Sequence, residues 1–534
     1  MSVDPAASFA LLDDADASSA NLTSRLLTEY VDSLWCSQAC QLPTLWPQLE
    51  LALTRGLHAV ALFDYELGAA LHAIAPRNVD ANLDKSTSRI LLFRHCQRLS
   101  AAQVDAWFQQ RSSSTTAAGI ANLHPSVTEA EFDAALQRIH AYIDAGDVYQ
   151  INYTYRLHFN VYGSPAALYA RLRERQPVPY GALIMLPEGG SVLSLSPELL
   201  LRHEAGVLQA QPMKGTASVS VVDSENTQRA IDLAADPKNR AENLMIVDLL
   251  RNDLGRIAVP GSVMVPALFK VQRYGQVLQM TSTVRAVVRH EVGLADIFDA
   301  VFPCGSITGA PKRRALQIIR DLEPDPRGLY TGAIGLFEAQ DGSYKPESHR
   351  AGDFCWSVPI RTLVLQPSNT EGIVRGQLGI GAGIVHDSDS AAEYRECGWK
   401  ARFVSELRHD FELIETMRAS RSDGCRYLMR HLQRLQASAQ CFGFVCDLSA
   451  IRQRLNVACA QLPDGLHRLR LTLAQDGVIA LNSAPLQLDL KPTCEPVKVL
   501  LAAQPLVSDA LLLQHKTTQR SAYDLAWREA EAQG

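Results

Sequence analysis

The sequence predicts an α+β fold built in successive parts, and three observations carry that prediction. From Val148 to Phe159, Tyr149, Ile151, Tyr153, Tyr155, Leu157 and Phe159 alternate with Gln150, Asn152, Thr154, Arg156 and His158. That is the period-two pattern of a long strand with one apolar and one polar face. Just before it, Thr128 and Glu131 have the spacing of a capping box, Phe132, Leu136, Ile139 and Ile143 form an apolar stripe, and Gly146 closes the helix so marked. Long strands and long helices then follow in mixed order, with no regular βαβ rhythm.

Taken in order, the apolar runs at 58–67 and 89–96 read as strands. Residues 111–118 (RSSSTTAA) are a polar break. After the helix and long strand come predicted strands at 181–186, 191–195, 198–203, 262–271, 358–366 and 374–386. Predicted helices cover 226–251, 292–301, 311–321 and 390–408. A second break falls near 405–410. Beyond it the pattern restarts with a strand at 411–418, a turn at 422–424, and a helix from Tyr427 to Cys441 with Leu428, His431, Leu432 and Leu435 on one side. The expected division is therefore 1–118, 119–407 and 411–534.

Composition narrows the function classes. A chain of 534 residues predicts two to four domains, at roughly 100–200 residues each. With 47% hydrophobic residues and a net charge of -6, it is neither disordered nor a typical nucleic-acid binder, which needs a basic stripe. No run of about 18 apolar residues predicts a membrane span, and the N-terminus lacks the basic and apolar regions of a secretory signal. The 11 cysteines are scattered. The closest spacings, Cys36 to Cys40 and Cys441 to Cys446, lack partners for a zinc set, so reduced thiols in a cytoplasmic protein are expected.

Several segments carry possible chemistry. GIGAGIVHD (379–387) and GSITGAPK (305–312) miss the spacings of dinucleotide and P-loop motifs, but glycine-rich turns let backbone N–H groups approach an anion, and a carboxylate suits them as well as a phosphate. Glu242 lies near the start of a helix for which Asp236-Pro237 supplies a plausible N-cap and first position. Glu393, Glu396 and Lys400 share one helix face. One carboxylate from each helix could hold Mg²⁺, which prefers oxygen ligands. Glu198 follows Ser196-Pro197 at a sharp junction between strands. Lys214 lies in Gln-Pro-Met-Lys-Gly-Thr. If buried, its pKa falls and it becomes a usable amine nucleophile or base.

Together these segments resemble the chorismate-utilising enzymes. The resemblance covers about 120–405 and runs through IDAGDVYQINYTYRL (143–157), LSPELLLR (195–202), QPMKGT (211–216), DPKNRAENLMIVDLLRNDLGR (236–256), YGQVLQMTSTV (274–284), PCGSITGAPKRRA (303–315), LYTGAIG (329–335), IRT (360–362) and GAGIVHDSDSAAEYRECGWKA (381–401). SFALLDD (8–14) looks like the family's opening strand, which in some members helps form a tryptophan pocket. The resemblance implies a large fold with β-sheets packed as a sandwich and helices outside. It implies Glu242 and Glu396 as Mg²⁺ ligands with Glu393 in support, the metal binding and orienting the ring carboxylate of chorismate. Arg361, Tyr330, Ser306 and the backbone of Gly381, Ala382 and Gly383 would hold the substrate's carboxylates, and Thr216 would be another contact. Glu198 would be the general acid that protonates the departing C4 hydroxyl.

Two positions separate the family's reactions. Members that add water carry a lysine base where this chain has Gln150. Anthranilate synthases usually have a small residue where this chain has Lys214, whereas Pro-x-Lys-Gly-Thr is typical of aminodeoxychorismate synthases. In those the lysine is thought to attack C2 before ammonia adds at C4. Gln279, which stands where many relatives have histidine, cannot titrate, and this fits a reaction without pyruvate elimination. The resemblance thus implies chorismate amination for p-aminobenzoate and folate synthesis, with anthranilate formation as the alternative. No Cys-His-Glu glutaminase segment is present, so a separate glutamine amidotransferase subunit would supply ammonia.

The stretch from 411 is similar to class IV enzymes dependent on pyridoxal phosphate (PLP), in particular aminodeoxychorismate lyase, through FELIETMRASRSDGCRYLMRHLQRLQASAQCFGF (411–444), HRLRLTLAQDG (467–477) and LLLQHKTTQRSAYDLA (511–526). By position Arg434 would contact the PLP phosphate and Lys516 would form the Schiff base. The glutamate that pairs with the pyridine nitrogen and the second phosphate loop find no match before Gly534, so an incomplete α/β domain, inactive as it stands and part of a fused synthase–lyase, is expected.

Overall fold

The computed structural model describes residues 8–75, 88–111, 117–275, 277–339, 351–486 and 509–532. Most of the predicted polar break at 111–118 lies outside them. The larger part of the chain is built on one continuous antiparallel sheet of 18 strands. Its pairings run in a single path. From Met264–Tyr274 and Val277–Val287 it passes through Val207–Gln211 with Met213–Ser218 beside it, then Leu199–Glu204, Phe354–Ser357, Ala333–Phe337 and His58–Phe63 to Arg89–Leu99. From there it continues through Ser24–Trp35, Phe9–Asp13, Tyr180–Met185, Ser191–Ser196, Thr362–Leu365 and Val374–Ile384 to Gln150–Tyr162, which also pairs with Gly119–Pro125.

Two short connections move the chain between the halves of this sheet. Residues 197–198 join Ser191–Ser196 in one arm to Leu199–Glu204 in the other, and residues 358–361 join Phe354–Ser357 to Thr362–Leu365 in the opposite sense. The corners lie side by side: Val358 N–H donates to the Glu198 carbonyl at 3.1 Å, and Leu195 N–H to the Arg361 carbonyl at 3.0 Å. Strands that switch sheets at a corner are how two packed layers share strands. The arms therefore face each other as a sandwich, and Lys214 on one comes within 3.4 Å of Asn152 on the other. The predicted α+β class and sandwich hold.

The helices follow their local signals. Glu129–Asp144 begins at a complete capping box made by Thr128 and Glu131, and buries Phe132, Leu136 and Ile139. The pattern at 226–251 is two helices, Asp223–Ala235 and Pro237–Gly255, broken where Asp236 caps the second through Asn239 N–H. The run at 58–67 is a strand only to Phe63. Asp64 then turns the chain into the helix Tyr65–Leu71, a change that uniform apolarity hides. The 390–408 helix breaks at Ala401. No helix among the described residues is long and apolar enough to cross a membrane.

Beyond residue 410 a separate four-stranded antiparallel sheet runs in the order Gly424–Cys425, Leu413–Ser420, His467–Leu473, Ile479–Pro485, with helices Leu428–Phe442 and Leu448–Ala460. It shares core with the larger part through Ala117, Ala121 and Tyr162. His409 joins the two: its Nε2–H donates to the Phe442 carbonyl at 2.8 Å, which leaves Nδ1 to accept from the Tyr162 hydroxyl at 2.6 Å. Gly163 N–H also donates to Asp509 Oδ2 at 2.8 Å.

Candidate active site

The sheet corners supply the first two groups of the site. Glu198 is buried at one corner, where its carboxylate accepts the Ser306 hydroxyl at 2.7 Å. Burial pushes its pKa up to about 7, against the opposing pull of that hydrogen bond and of Lys214. Arg361 sits at the other corner with φ +51°. Burial alone pulls its pKa down to about 10, and its Nη1 has no hydrogen-bond partner among the described residues.

Lys214 lies on Met213–Ser218, at the point where the register with Val277–Val287 shifts. Burial lowers its pKa, with Glu242 acting in the opposite sense and Lys400 in the same one. Its neighbour across the site is Gln150, which is fully buried and whose amide oxygen and nitrogen both lack partners among the described residues. Gly383 leaves room between them. A β-carbon there would lie 2.5 Å from Gln150 Nε2 and 3.1 Å from Lys214 Nζ.

Gly381, Ala382 and Gly383 pair with Thr154, Tyr153 and Asn152. The Gly381 carbonyl is held by Lys400 Nζ at 2.8 Å, and Lys400 also pairs with Glu396 at 2.9 Å. Tyr330 is buried, with the Arg156 guanidinium 5.0 Å from its ring centre. Gln279 is buried with an unpartnered Oε1, directly opposite Thr216, which is itself exposed.

The three candidate metal ligands come from two helices, Glu242 from Pro237–Gly255 and Glu393 and Glu396 from Ser390–Lys400. Burial raises the pKa of Glu242, and Glu393 and Glu396 add to the rise. Glu393 accepts the Ser388 hydroxyl at 2.7 Å, and Lys400 holds the Glu396 carboxyl below its ordinary range. Oxygen-only donors that disfavour one another's charge suit a hard divalent cation, although among the described residues no three acidic, histidine or cysteine side chains already converge as a ligand set.

Sequence reasoning missed a buried hub beneath these residues. Arg327 engages all five of its N–H donors: two go to Glu323 at 2.9 and 2.6 Å, and one each to the carbonyls of Ile307 and Asn152 and to the Thr331 hydroxyl. Glu323 in turn accepts Thr154 N–H at 2.8 Å. The segments so tied carry Ser306, Tyr330 and Gln150. In the sequence this pair shows only an i, i+4 spacing, which is indistinguishable from a surface pair. Arg327→Met is expected to lower the unfolding free energy by about 3–5 kcal/mol, because it removes the cation paired with the buried Glu323 side chain. Urea titration checks this, and a loss below about 1 kcal/mol overturns it.

In the C-terminal unit, Arg434 and Lys516 do approach each other, around Glu415. Arg434 Nε donates to Glu415 Oε1 at 2.7 Å and its Nη2 to Oε2 at 2.5 Å, and His431 Nδ1 lies 2.7 Å from Oε2. Lys516 carries a pKa lowered by burial, with Glu415 raising it and Arg434 lowering it.

An arginine with an unpartnered Nη1, two lysines and a carboxyl whose pKa burial pushes up to about 7, set between two sheet arms, make a candidate site suited to a small anion with several carboxylates. The chain belongs to the chorismate binding enzyme family, which matches residues 5–406, and residues 412–534 match the class IV amino-transferase family. It is 35% identical over 373 residues to aminodeoxychorismate synthase component 1 of Klebsiella aerogenes, covering 66% of this chain and 77% of the relative. It is 36% identical over 344 residues to anthranilate synthase component 1 of Streptomyces coelicolor, covering 64% of each. A solved menaquinone-specific isochorismate synthase from Escherichia coli shares the fold, with a TM-score of 0.58 at 17% identity over 76% of this chain and 89% of its own.

Proposed function

We propose that the chain aminates chorismate at C4 to give 4-amino-4-deoxychorismate, taking ammonia from a glutamine amidotransferase partner. The observation that carries this reading is Lys214: a half-buried amine of lowered pKa in one pocket with Glu198, facing a Gln150 that cannot serve as a base for water. Relatives at closely similar identity make different products, so overall similarity does not choose between them and the residues must.

In the proposed reaction Arg361, Tyr330 and the Gly381–Gly383 backbone hold the substrate carboxylates, with the exposed Thr216 and the buried Gln279 opposite it as further contacts. The Lys214 lone pair forms a bond to C2, the ring double bonds shift, and the C4–O bond breaks. Glu198 passes its proton to the departing hydroxyl, which leaves as water. Ammonia then adds at C4, the double bonds shift back and the C2–N bond breaks, freeing the Lys214 amine. The new C4 ammonium returns a proton to Glu198. Atoms and charge balance, and the enolpyruvyl group stays in place.

Glu242 and Glu396, supported by Glu393, would hold Mg²⁺, which when bound offsets the charge of the ring carboxylate. Toward PLP the fit is partial, because the Arg434 fork is already engaged by Glu415.

The test is product identification by mass spectrometry from chorismate, Mg²⁺ and ammonium. The expected product is 4-amino-4-deoxychorismate. Anthranilate and pyruvate as main products overturn the proposal in favour of the anthranilate reading.

A further inference from the structure

We propose that Asn152 is the positioning residue that aims the Lys214 amine, an inference that rests on the covalent role of Lys214 above. Asn152 Oδ1 is the hydrogen-bond partner of Lys214 Nζ, at 3.4 Å, and no other is found for that amine among the described residues. The amide cannot be turned round: its Nδ2 donates to the Ser306 carbonyl at 3.1 Å, and a carbonyl only accepts. The oxygen is therefore the atom presented to the lysine.

The backbone of Asn152 is equally fixed. Its N–H donates to the Thr308 carbonyl at 2.8 Å, and its own carbonyl accepts Arg327 Nη2 at 2.7 Å. Arg327 has no donor left with which to move elsewhere. Asn152 is thus clamped at three points, and its fourth group faces Lys214.

An acceptor beside a neutral amine takes an N–H and turns the lone pair away from itself. Lys214 Nζ also lies where a Gly383 β-carbon would be 3.1 Å from it, in the space that Gly383 leaves open. Asn152 thereby restricts the amine to orientations in which the lone pair faces the pocket, and it accepts an N–H from the positively charged nitrogen that forms on attack. A separation of 3.4 Å is long for such a bond, as catalytic hydrogen bonds often are before substrate arrives.

The test uses the full chain with Asn152→Leu, which keeps the shape and removes both polar atoms, and Asn152→Ala as a second variant should leucine disturb folding. Chorismate is added without ammonium, and intact-mass spectrometry follows a Lys214 adduct of chorismate minus water. Steady-state kinetics with ammonium follow separately. The expected result is adduct formation and kcat both slowed about 10²-fold, the size of effect that follows from misplacing a reacting group, with the chorismate KM within about twofold.

A purely structural role would move stability and KM together and leave no such split. Adduct formation as fast in the variants as in the unaltered chain overturns the role of Asn152 and leaves that of Lys214 standing. Absence of an adduct in the unaltered chain overturns both.

Discussion

Lys214→Ala is expected to lose amination by a factor on the order of 10³ or more in kcat, since removing a covalent nucleophile costs more than removing a single proton donor. Among the described residues, the other amine facing these groups is not placed to take over. Lys400, the second lysine there, is tied to Glu396 and to the Gly381 carbonyl, and its pKa is raised by Glu396 despite its burial. At Lys214 the neighbouring carboxylates do not outweigh burial, so its pKa is lowered and its amine is kept closer to the neutral, nucleophilic form. The alanine change also removes a charge beside Glu198 and Glu242, so both carboxyls are expected to hold their protons more tightly. The measurement is turnover of chorismate with ammonium, with products separated by mass spectrometry. Turnover within tenfold of the unaltered chain sinks the covalent role.

The long strand Gln150–Tyr162 shows how far sequence reasoning reached. Its period-two alternation was legible, and so was the helix before it, because a capping box and an apolar stripe are local signals. What alternation cannot tell is what lies beyond the polar face. Gln150, Asn152, Thr154 and Arg156 are as buried as the apolar residues between them, because that face closes over the site instead of meeting water.

Glu198 was visible as a residue at a sharp junction. That its junction lies against a second one, carrying Arg361 with a positive φ, depends on pairings between residues more than 150 positions apart. The same holds for Glu323 and Arg327. Their spacing was in plain view, but their burial follows from strands and turns that close around them from elsewhere in the chain. The helix break at Asp236-Pro237 was a local signal, and so the N-cap there was legible while the helix before it was merged with the one it starts.

Glu198→Gln is the second large effect. Glutamine keeps the size of the side chain and can still meet the Ser306 hydroxyl, but it has no proton to give to a leaving hydroxyl. A fall in kcat of about 10²–10⁴-fold is expected. The pH dependence separates this role from a steric one. Burial is the main reason that the Glu198 pKa stands near 7, so the acid form is abundant below that pH and declines tenfold per unit above it. Activity of the unaltered chain is therefore expected to fall as pH rises through about 7, and the residual activity of the glutamine variant is expected to lack that limb.

Stability moves in the same direction. Between 4.5, the ordinary value, and about 7, the folded chain keeps a proton that the unfolded chain has released. The contribution of this group is thus fully present below 4.5 and is lost as pH rises through about 7. The glutamine variant lacks that loss, so its stability relative to the unaltered chain is expected to rise with pH across this range while its activity stays low. Opposite changes in stability and turnover from one substitution are what a carboxyl held protonated for catalysis produces. Parallel losses of both, or an unchanged alkaline limb, would place Glu198 among the structural residues of the corner instead.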